Sequence, residues 1–194
     1  MKLAVLPPVL LVAGCTLLTP THDASRFYTL AVRDASTAAT RGRAPSVVVG
    51  PVTIPAYLDR NEVAVRVSPT EIRYTPTERW AEPLAANFTT VLAEDLAVVL
   101  GSDRVVPQSA AAGVTPDFSV EVVVVRFEAA ADGSAQLTAR WALRDRDRKI
   151  LLVRQTQHAR QATSGTTEGG VKALSAAVGD LADEIAAAIH SPTT

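Results

Sequence analysis

The chain has 194 residues, of which 47% are hydrophobic and 20% charged, so it can form one globular domain with a sizeable core. Its formal net charge of −1 offers no basic field for a nucleic-acid backbone, which argues against nucleic-acid binding. The single cysteine, Cys15, excludes an intrachain disulfide framework.

Residues 1–14 are predicted to form a lipoprotein signal peptide. Lys2 precedes an apolar stretch that ends at residue 12 and is shorter than the roughly 20 residues that a membrane-spanning helix needs. The sequence Val-Ala-Gly-Cys at 12–15 resembles the lipobox of bacterial lipoproteins, in which the cysteine begins the mature chain and forms a thioether with diacylglycerol. An ordinary signal peptide followed by a chance cysteine is the alternative.

Lipidation of Cys15 would make residues 15–25 a lipidated cysteine and a tether. One acyl chain binds a membrane only reversibly, whereas the two or three chains that the lipobox resemblance implies anchor a domain durably. Thr16 occupies the position where well-studied Gram-negative lipoproteins of the inner membrane carry Asp. The sequence therefore predicts an outer-membrane lipoprotein whose only bound group is the covalent lipid on Cys15.

The first part of the mature chain is predicted to form short strands. The stretch 46–55 is interrupted at Gly50-Pro51, which indicates a bulge or a sheet edge because proline cannot donate to a strand ladder. Residues 62–67 alternate and are expected to lie beside that strand in the sheet. Further expected elements are a strand at 26–30, a low-complexity loop at 35–44 and a hairpin strand at 71–74.

A long helix is expected over residues 80–100. Pro83 argues against a helix that starts at the capping pattern of residues 75–78, so residues 75–79 are expected to form a turn. Gly101 is expected to end the helix as a left-handed cap. The apolar residues recur at steps of three and four: Trp80, Leu84, Phe88, Val91, Leu92, Leu96 and Val99.

The second half predicts three long antiparallel strands and a final helix. Residues 117–128 are apolar on both faces at their centre, which is typical of an inner strand. The other expected elements are a short strand at 104–107, a hairpin turn at Asp132-Gly133, strands at 136–144 and 150–161 joined by a charged turn, and a helix at 168–190. We predict an α+β fold, with an antiparallel-rich mixed sheet and two amphipathic helices packed on it.

The sequence contains no recognisable catalytic or metal site. His22, His158 and His190 are not spaced as metal ligands, and there is no cysteine and histidine cluster. The nucleophile-elbow, zinc-protease and phosphate-loop motifs are missing. A role for His158 beside a serine and a carboxylate is weighed against a partly buried strand histidine, and the second interpretation is favoured. We expect a protein that is not an enzyme and holds no metal.

Three segments carry a family pattern: FYTL at 27–30, VGPVTIPAYLDRNEVAVR at 49–66 and ERWAEPLAANFTTVLAEDLAVVL at 78–100. Together they resemble the PqiC (YmbA) family, the auxiliary lipoprotein component of ABC-type and MCE transport systems. The family's P-x-x-I/L-P-x-Y-L-D-R motif is matched by Pro51, Ile54, Pro55, Tyr57, Leu58, Asp59 and Arg60. Its W-A-E-P-L segment is matched by residues that include Trp80, Glu82, Pro83 and Leu84. Where the family commonly has Gln, this chain has Asn61 or Glu62.

The resemblance implies a single auxiliary lipoprotein domain over 26–190 and a tail at 191–194. It implies an outer-membrane lipoprotein that faces the periplasm and partners an MCE-domain membrane protein with its permease and ATPase. The implied activity is lipid transport between the two membranes, which supports envelope integrity. A homo-oligomeric ring that docks on the tip of the MCE tube is also implied.

The motif residues allow two interpretations. The loop that contains Tyr57 and Leu58 either packs on the domain's own helix or contacts a partner. Trp80 is expected in the core because it continues the apolar face of the predicted helix. Two other functions stay open: a scaffold or activator of a cell-wall synthesis enzyme, and a lipid carrier with its own cavity.

Overall fold

The computed structural model describes residues 23–34 and 44–191. The predicted signal peptide, Cys15, most of the tether and nearly all of the predicted loop at 35–44 lie outside the described residues. The elements are β1 Arg26–Tyr28, β2 Val47–Thr53, β3 Glu62–Ser68, β4 Glu71–Trp80, α1 Leu84–Leu100, β5 Val105–Pro107, a 3-10 helix Gln108–Ala110, β6 Phe118–Ala130, β7 Ser134–Asp145, β8 Ile150–Gln161 and α2 Thr167–His190. These elements confirm the predicted α+β fold with a mixed sheet.

Strand β6 is the centre of the sheet, as the sequence predicted. One edge of β6 pairs antiparallel with β7, from Phe118 opposite Asp145 to Ala129 opposite Ala135, and β8 pairs antiparallel with β7. The other edge of β6 pairs in parallel with two strands in succession, β2 along its first half and the end of β3 at its last residues. Strand β5 lies outside β2, and strands β4 and β1 lie outside β3.

The expectation that residues 62–67 lie beside the 46–55 strand is therefore wrong. Both β2 and β3 run parallel to β6, so the chain that leaves β2 continues forward along the edge of β6 instead of turning back. The prediction of a bulge at Gly50-Pro51 is confirmed, because the register against β6 shifts between Val49 and Val52. Gly50 has a φ of +122°, which a residue with a side chain rarely adopts.

The boundary between β4 and α1 also differs from the prediction. Residues 75–79 do not form a turn: β4 continues through Pro76 to Trp80, and α1 begins only at Leu84, after Pro83. Pro76 lies where the ladder between β3 and β4 is irregular, between the pairs formed by Tyr74 and Arg79, and such irregularities accommodate proline. Trp80 thus enters the core from the end of a strand and not from a helix face.

The core lies between one face of the sheet and the two helices. Phe88 of α1 and Phe127 of β6 meet edge to face, with 5.3 Å between ring centroids. Gly101 ends α1 in the left-handed conformation, as predicted, and Thr166 caps α2 by accepting a hydrogen bond from Gly169 N–H at 3.2 Å. The predicted buried face of the second helix is confirmed by Val171, Leu174, Val178, Leu181, Ile185 and Ile189.

Residues 29–34, which we call the N-terminal strap, cross the two helices after β1. Three backbone N–H groups of the strap donate to side chains: Leu30 to Asn87 Oδ1 at 2.7 Å, Ala31 to Ser175 Oγ at 3.0 Å, and Arg33 to Asp95 Oδ1 at 2.8 Å. Asn87 and Asp95 belong to α1, and Ser175 belongs to α2. The strap is therefore held by both helices.

Asp95 provides the buried carboxyl group that bonds to the strap. Its side chain is 1% exposed, and the Arg33 guanidinium is 3.8 Å away because it bonds instead to Asp183 and the Gly179 carbonyl oxygen. Burial therefore raises the pKa of Asp95, in spite of the hydrogen bond from the Arg33 backbone. A carboxyl whose pKa is raised on folding stabilises the fold most at low pH and less as the pH rises through that raised pKa.

We predict that Asp95→Asn changes how stability depends on pH. The amide keeps an oxygen that can accept from Arg33 N–H but cannot ionise. The free energy of unfolding of the variant, relative to the parent, should therefore rise as the pH increases above the ordinary aspartate pKa of about 4. Urea denaturation at several pH values tests this, with Asp103→Asn at an exposed position after α1 as the matched control. A difference between variant and parent that is the same at every pH would contradict the prediction.

Candidate interaction site

The family motif forms the loop at residues 54–61, between β2 and β3, which we call the motif loop. A tight turn holds it, with hydrogen bonds from Leu58 N–H to the Pro55 carbonyl oxygen at 2.9 Å and from Asp59 N–H to the Ala56 carbonyl oxygen at 3.3 Å. Leu58 is buried in the hydrophobic core, whereas Tyr57 is only half-buried. The loop thus packs on its own domain through Leu58, and this side chain is not available to a partner.

Tyr57 belongs to a cluster of four polar side chains, which we call the Glu128 cluster. It consists of Glu128 and the three side chains that bond to it. The Tyr57 hydroxyl donates to Glu128 Oε2 at 2.5 Å. Arg66 Nε and Arg126 Nε donate to Glu128 Oε1 at 2.6 Å and 2.7 Å. The Glu128 side chain is 1% exposed, so its charge depends on these partners for compensation. Burial, and then the bond to Glu128, raise the pKa of Tyr57, which keeps the phenol protonated.

The other charged residues of the motif loop form local contacts at the surface. The Arg60 guanidinium lies over the Tyr74 ring, 4.5 Å from its centroid, and Arg60 Nε is 3.5 Å from Glu62 Oε2. The Tyr74 hydroxyl donates to the Tyr57 carbonyl oxygen at 3.0 Å. Asp59 is exposed, as is Pro51 at the bulge of β2. The exposed charged residues Asp59 and Arg60 therefore directly follow the buried Leu58 in the motif loop.

The second motif segment meets the first. Trp80 N–H donates to the Asn61 carbonyl oxygen at 2.7 Å, which joins the end of β4 to the end of the motif loop. Glu82 Oε1 accepts from Asn87 Nδ2 at 2.8 Å, and Pro83 precedes the buried Leu84 at the start of α1. Trp80 is 7% exposed, which confirms its place in the core. Trp80, Pro83 and Leu84 thus shape the junction between β4 and α1.

The sheet has a second face that no described helix covers, which we call the open face. Val123 of β6 is 49% exposed and Val153 of β8 is 56% exposed, although both are in the middle of long strands. Arg140 lies opposite Val123 and beside Gln155 on the same face, with 3.2 Å from Arg140 Nη2 to Gln155 Oε1. The open face therefore combines exposed valines with arginine and glutamine side chains.

Sequence reasoning missed the open face. The run of valines in β6 is typical of a strand that is covered on both faces, but in this structure only one of its faces meets the helices. The alternation in β7 carried the missing signal, because Leu137, Ala139 and Trp141 are buried while Arg140 is exposed. A polar row on the neighbouring strand indicates that its face of the sheet meets water or a partner.

No catalytic arrangement is apparent in residues 23–34 and 44–191. His158 Nε2 is 3.2 Å from both Thr156 Oγ1 and Glu184 Oε2, and its side chain is 19% exposed, which fits a partly buried strand histidine. Within the same residues, no group of three potential metal ligands is found. No helix in this part of the chain is both long and apolar enough to cross a membrane.

Two solved structures resemble this fold. A crystal structure of an uncharacterized protein is 21% identical and has a TM-score of 0.71, covering 85% of this chain and 98% of its own. A DUF330-family protein from Xanthomonas campestris is 18% identical and has a TM-score of 0.69, covering 84% of this chain and 93% of its own. At these identities the likeness establishes the fold. No protein with a curated description matches the chain.

Solved structures thus share this fold, and a family model identifies the class of protein. The model for the ABC-type transport auxiliary lipoprotein component matches residues 28–186. The chain belongs to this family, which confirms the resemblance drawn from the sequence motifs. Membership makes the protein an auxiliary lipoprotein of ABC-type transport, and the family is not a known enzyme family.

We predict that Glu128→Gln lowers the free energy of unfolding by about 3 kcal/mol or more, because it leaves two guanidinium groups without their buried counter-ion. The matched control is Glu121→Gln, on the same strand and the same face, where the carboxylate is 37% exposed and pairs with Arg144. A partly exposed pair is worth about 1 kcal/mol or less, so the control should be nearly neutral. Urea denaturation measures both variants, and equal losses would contradict a special role for Glu128.

Proposed function

We propose that this lipoprotein is the auxiliary component of an MCE-type intermembrane lipid transport system and docks on its MCE-domain partner. In this proposal the lipid on Cys15 anchors the chain in the outer membrane, and the domain faces the periplasm. The partner belongs to a complex with its own permease and ATPase. Membership of the transport auxiliary family supports the general role.

The exposure of the open face is the main support for the docking proposal. Exposed apolar side chains such as Val123 and Val153 leave water only when another surface covers them. Arginine is enriched and lysine depleted at protein–protein interfaces, and the face has Arg140 while β6, β7 and β8 contain no lysine. A long, rigid sheet face also changes little on binding, which suits a docking platform.

The motif loop adds a second part to the proposed interface. The Tyr57 side chain reaches Glu128, whose register neighbour Gln136 lies on the open face, so the loop and the face adjoin. Arg60 is half-exposed and held over Tyr74, which preorganises it for a contact. We include a homo-oligomeric ring and a contribution to envelope integrity in the proposal, on the strength of the family resemblance.

The anchor is tested by metabolic labelling with palmitate. We expect the parent chain to incorporate the label and to sediment with the outer membrane in a density gradient. Cys15→Ala should incorporate none, because no thiol remains for the thioether. Labelling of the variant equal to that of the parent would contradict the anchor, and sedimentation of the parent with the inner membrane would contradict the assigned location.

Docking is tested by site-specific photo-crosslinking in cells that express the protein at its native level. A photo-reactive residue at Val123 or Val153 should capture an MCE-domain protein. The matched control position is Glu94, which is exposed on α1 at the opposite side of the sheet. Capture of the MCE-domain protein from Glu94 alone would reject the open face as the interface. Capture of a cell-wall synthesis enzyme from Val123 would instead support the scaffold function.

A further inference from the structure

A groove of about 710 Å³ lies where the tip of the β3–β4 hairpin approaches the end of β6. Its volume is within the range of small-molecule sites, roughly 300–1,000 Å³. The residues that decide its chemistry are Arg66, Val67, Pro69, Val125 and Arg126, with Tyr57 at its inner end. The groove adjoins the Glu128 cluster, and the docking proposal assigns no ligand to it.

The positive charges of the groove are not paired one to one with carboxylates. Arg66 and Arg126 both bond to Glu128, and a single carboxylate can balance only one of two guanidinium groups. Asp132 at the rim supplies a second negative charge but does not pair with either guanidinium group. Its Oδ1 accepts from the N–H and the hydroxyl of Ser134, and it forms no ion pair with either arginine.

Arg126 is the side chain with free donors. Only its Nε is engaged, with Glu128 at 2.7 Å, and its two terminal nitrogens have no hydrogen-bond partner within the described ranges. The side chain is 36% exposed. The bond to Glu128 holds the guanidinium in place while its outer edge stays open to the groove. A guanidinium edge matches the paired oxygens of a phosphate or a carboxylate.

An apolar wall lies beside these charges. Val125 occupies the bulge of β6, between the pairs formed by Val124 and Arg126, and is 48% exposed. Val67, Pro69, Ala130 and Ala131 extend the apolar lining. A small hydrophilic anion would leave this wall in water, whereas a ligand with an anionic head and an apolar chain would cover it and gain the free energy of burial.

We propose that this groove binds an anionic amphiphile with a phosphate head, which Arg126 holds while Val125 and Pro69 contact the start of its apolar chain. Arg66 adds its positive charge beside the head, although each of its guanidinium nitrogens already bonds to Glu128 or to the Pro69 carbonyl oxygen. The proposal concerns a ligand site on this chain, and it stands whether or not the open face docks on an MCE-domain partner. Tyr57 and Glu128 act as positioning residues, because they orient the two guanidinium groups without reaching the ligand.

Isothermal titration calorimetry tests the site on the chain from residue 15 onward, with Cys15→Ser so that no acyl chain competes. The probe is dihexanoyl phosphatidylglycerol below its micelle concentration. Glycerol phosphate provides the head without the chain, and octyl glucoside provides a chain without the charge. We expect the phosphatidylglycerol to bind at least about tenfold more tightly than either of the other two compounds.

Two variants locate the site. Arg126→Gln should weaken binding about tenfold, as expected for the loss of one charge-assisted pair, and Arg140→Gln on the open face is its control. Val125→Asp should abolish binding, because it places a carboxylate beside the head group, and Val153→Asp at a similarly exposed strand position is its control. Urea denaturation of each variant confirms that it is folded.

The outcomes separate the alternatives. Loss of binding in Arg126→Gln and Val125→Asp, with both controls unchanged, supports the proposal. Equal affinity for glycerol phosphate would reject the apolar part of the site. Equal affinity for octyl glucoside would reject the anionic part. The absence of phosphatidylglycerol binding, or equal loss in variants and controls, would overturn the proposal while leaving the crosslinking result for the open face unaffected.

Discussion

Strand β6 must share one of its edges between two parallel strands, and this constraint shapes the domain. β2 pairs with the first half of β6 and β3 pairs only with its last residues, so an intervening stretch of that edge has no strand beside it. The motif loop crosses this stretch. Leu58 fills the core on one side, and Tyr57 reaches Glu128 on the other. The loop therefore needs a large apolar residue and a hydrogen-bonding aromatic residue next to each other in sequence.

A buried charged residue, Glu128, lies beside the same gap. Glu128 is almost fully buried, and a lone carboxylate there would be costly. Arg66 reaches it from β3, Arg126 from β6 itself and Tyr57 from the motif loop, so each element around the gap contributes one donor. The cluster therefore compensates the buried charge of Glu128. It also leaves the outer edge of Arg126 facing the solvent beside an exposed bulge valine.

Local sequence patterns predict the helices and strands better than they predict which strands pair in the sheet. The predicted strand at 136–144 and the predicted helix at 168–190 depend on patterns of residues close in sequence, and both predictions are confirmed. The spacing of Trp80 from Leu84 predicts a helix, whereas an irregular ladder lets β4 continue through Pro76 to Trp80. Tyr57 and Glu128 are 71 positions apart, and no local pattern in one sequence links them. The candidate site was therefore found only in part: the motif loop was singled out, but the open face and the groove were not.

The N-terminal strap gives the domain a defined path for mechanical load. In a chain held at Cys15, tension would enter through β1 and pass along the strap, whose amides bond to side chains of α1 and α2. The force would reach β4, which pairs with β1, and then the helix pair, whereas the long strands β6, β7 and β8 lie farther along that path. A tethered subunit could then be pulled by its anchor while its open face kept its shape.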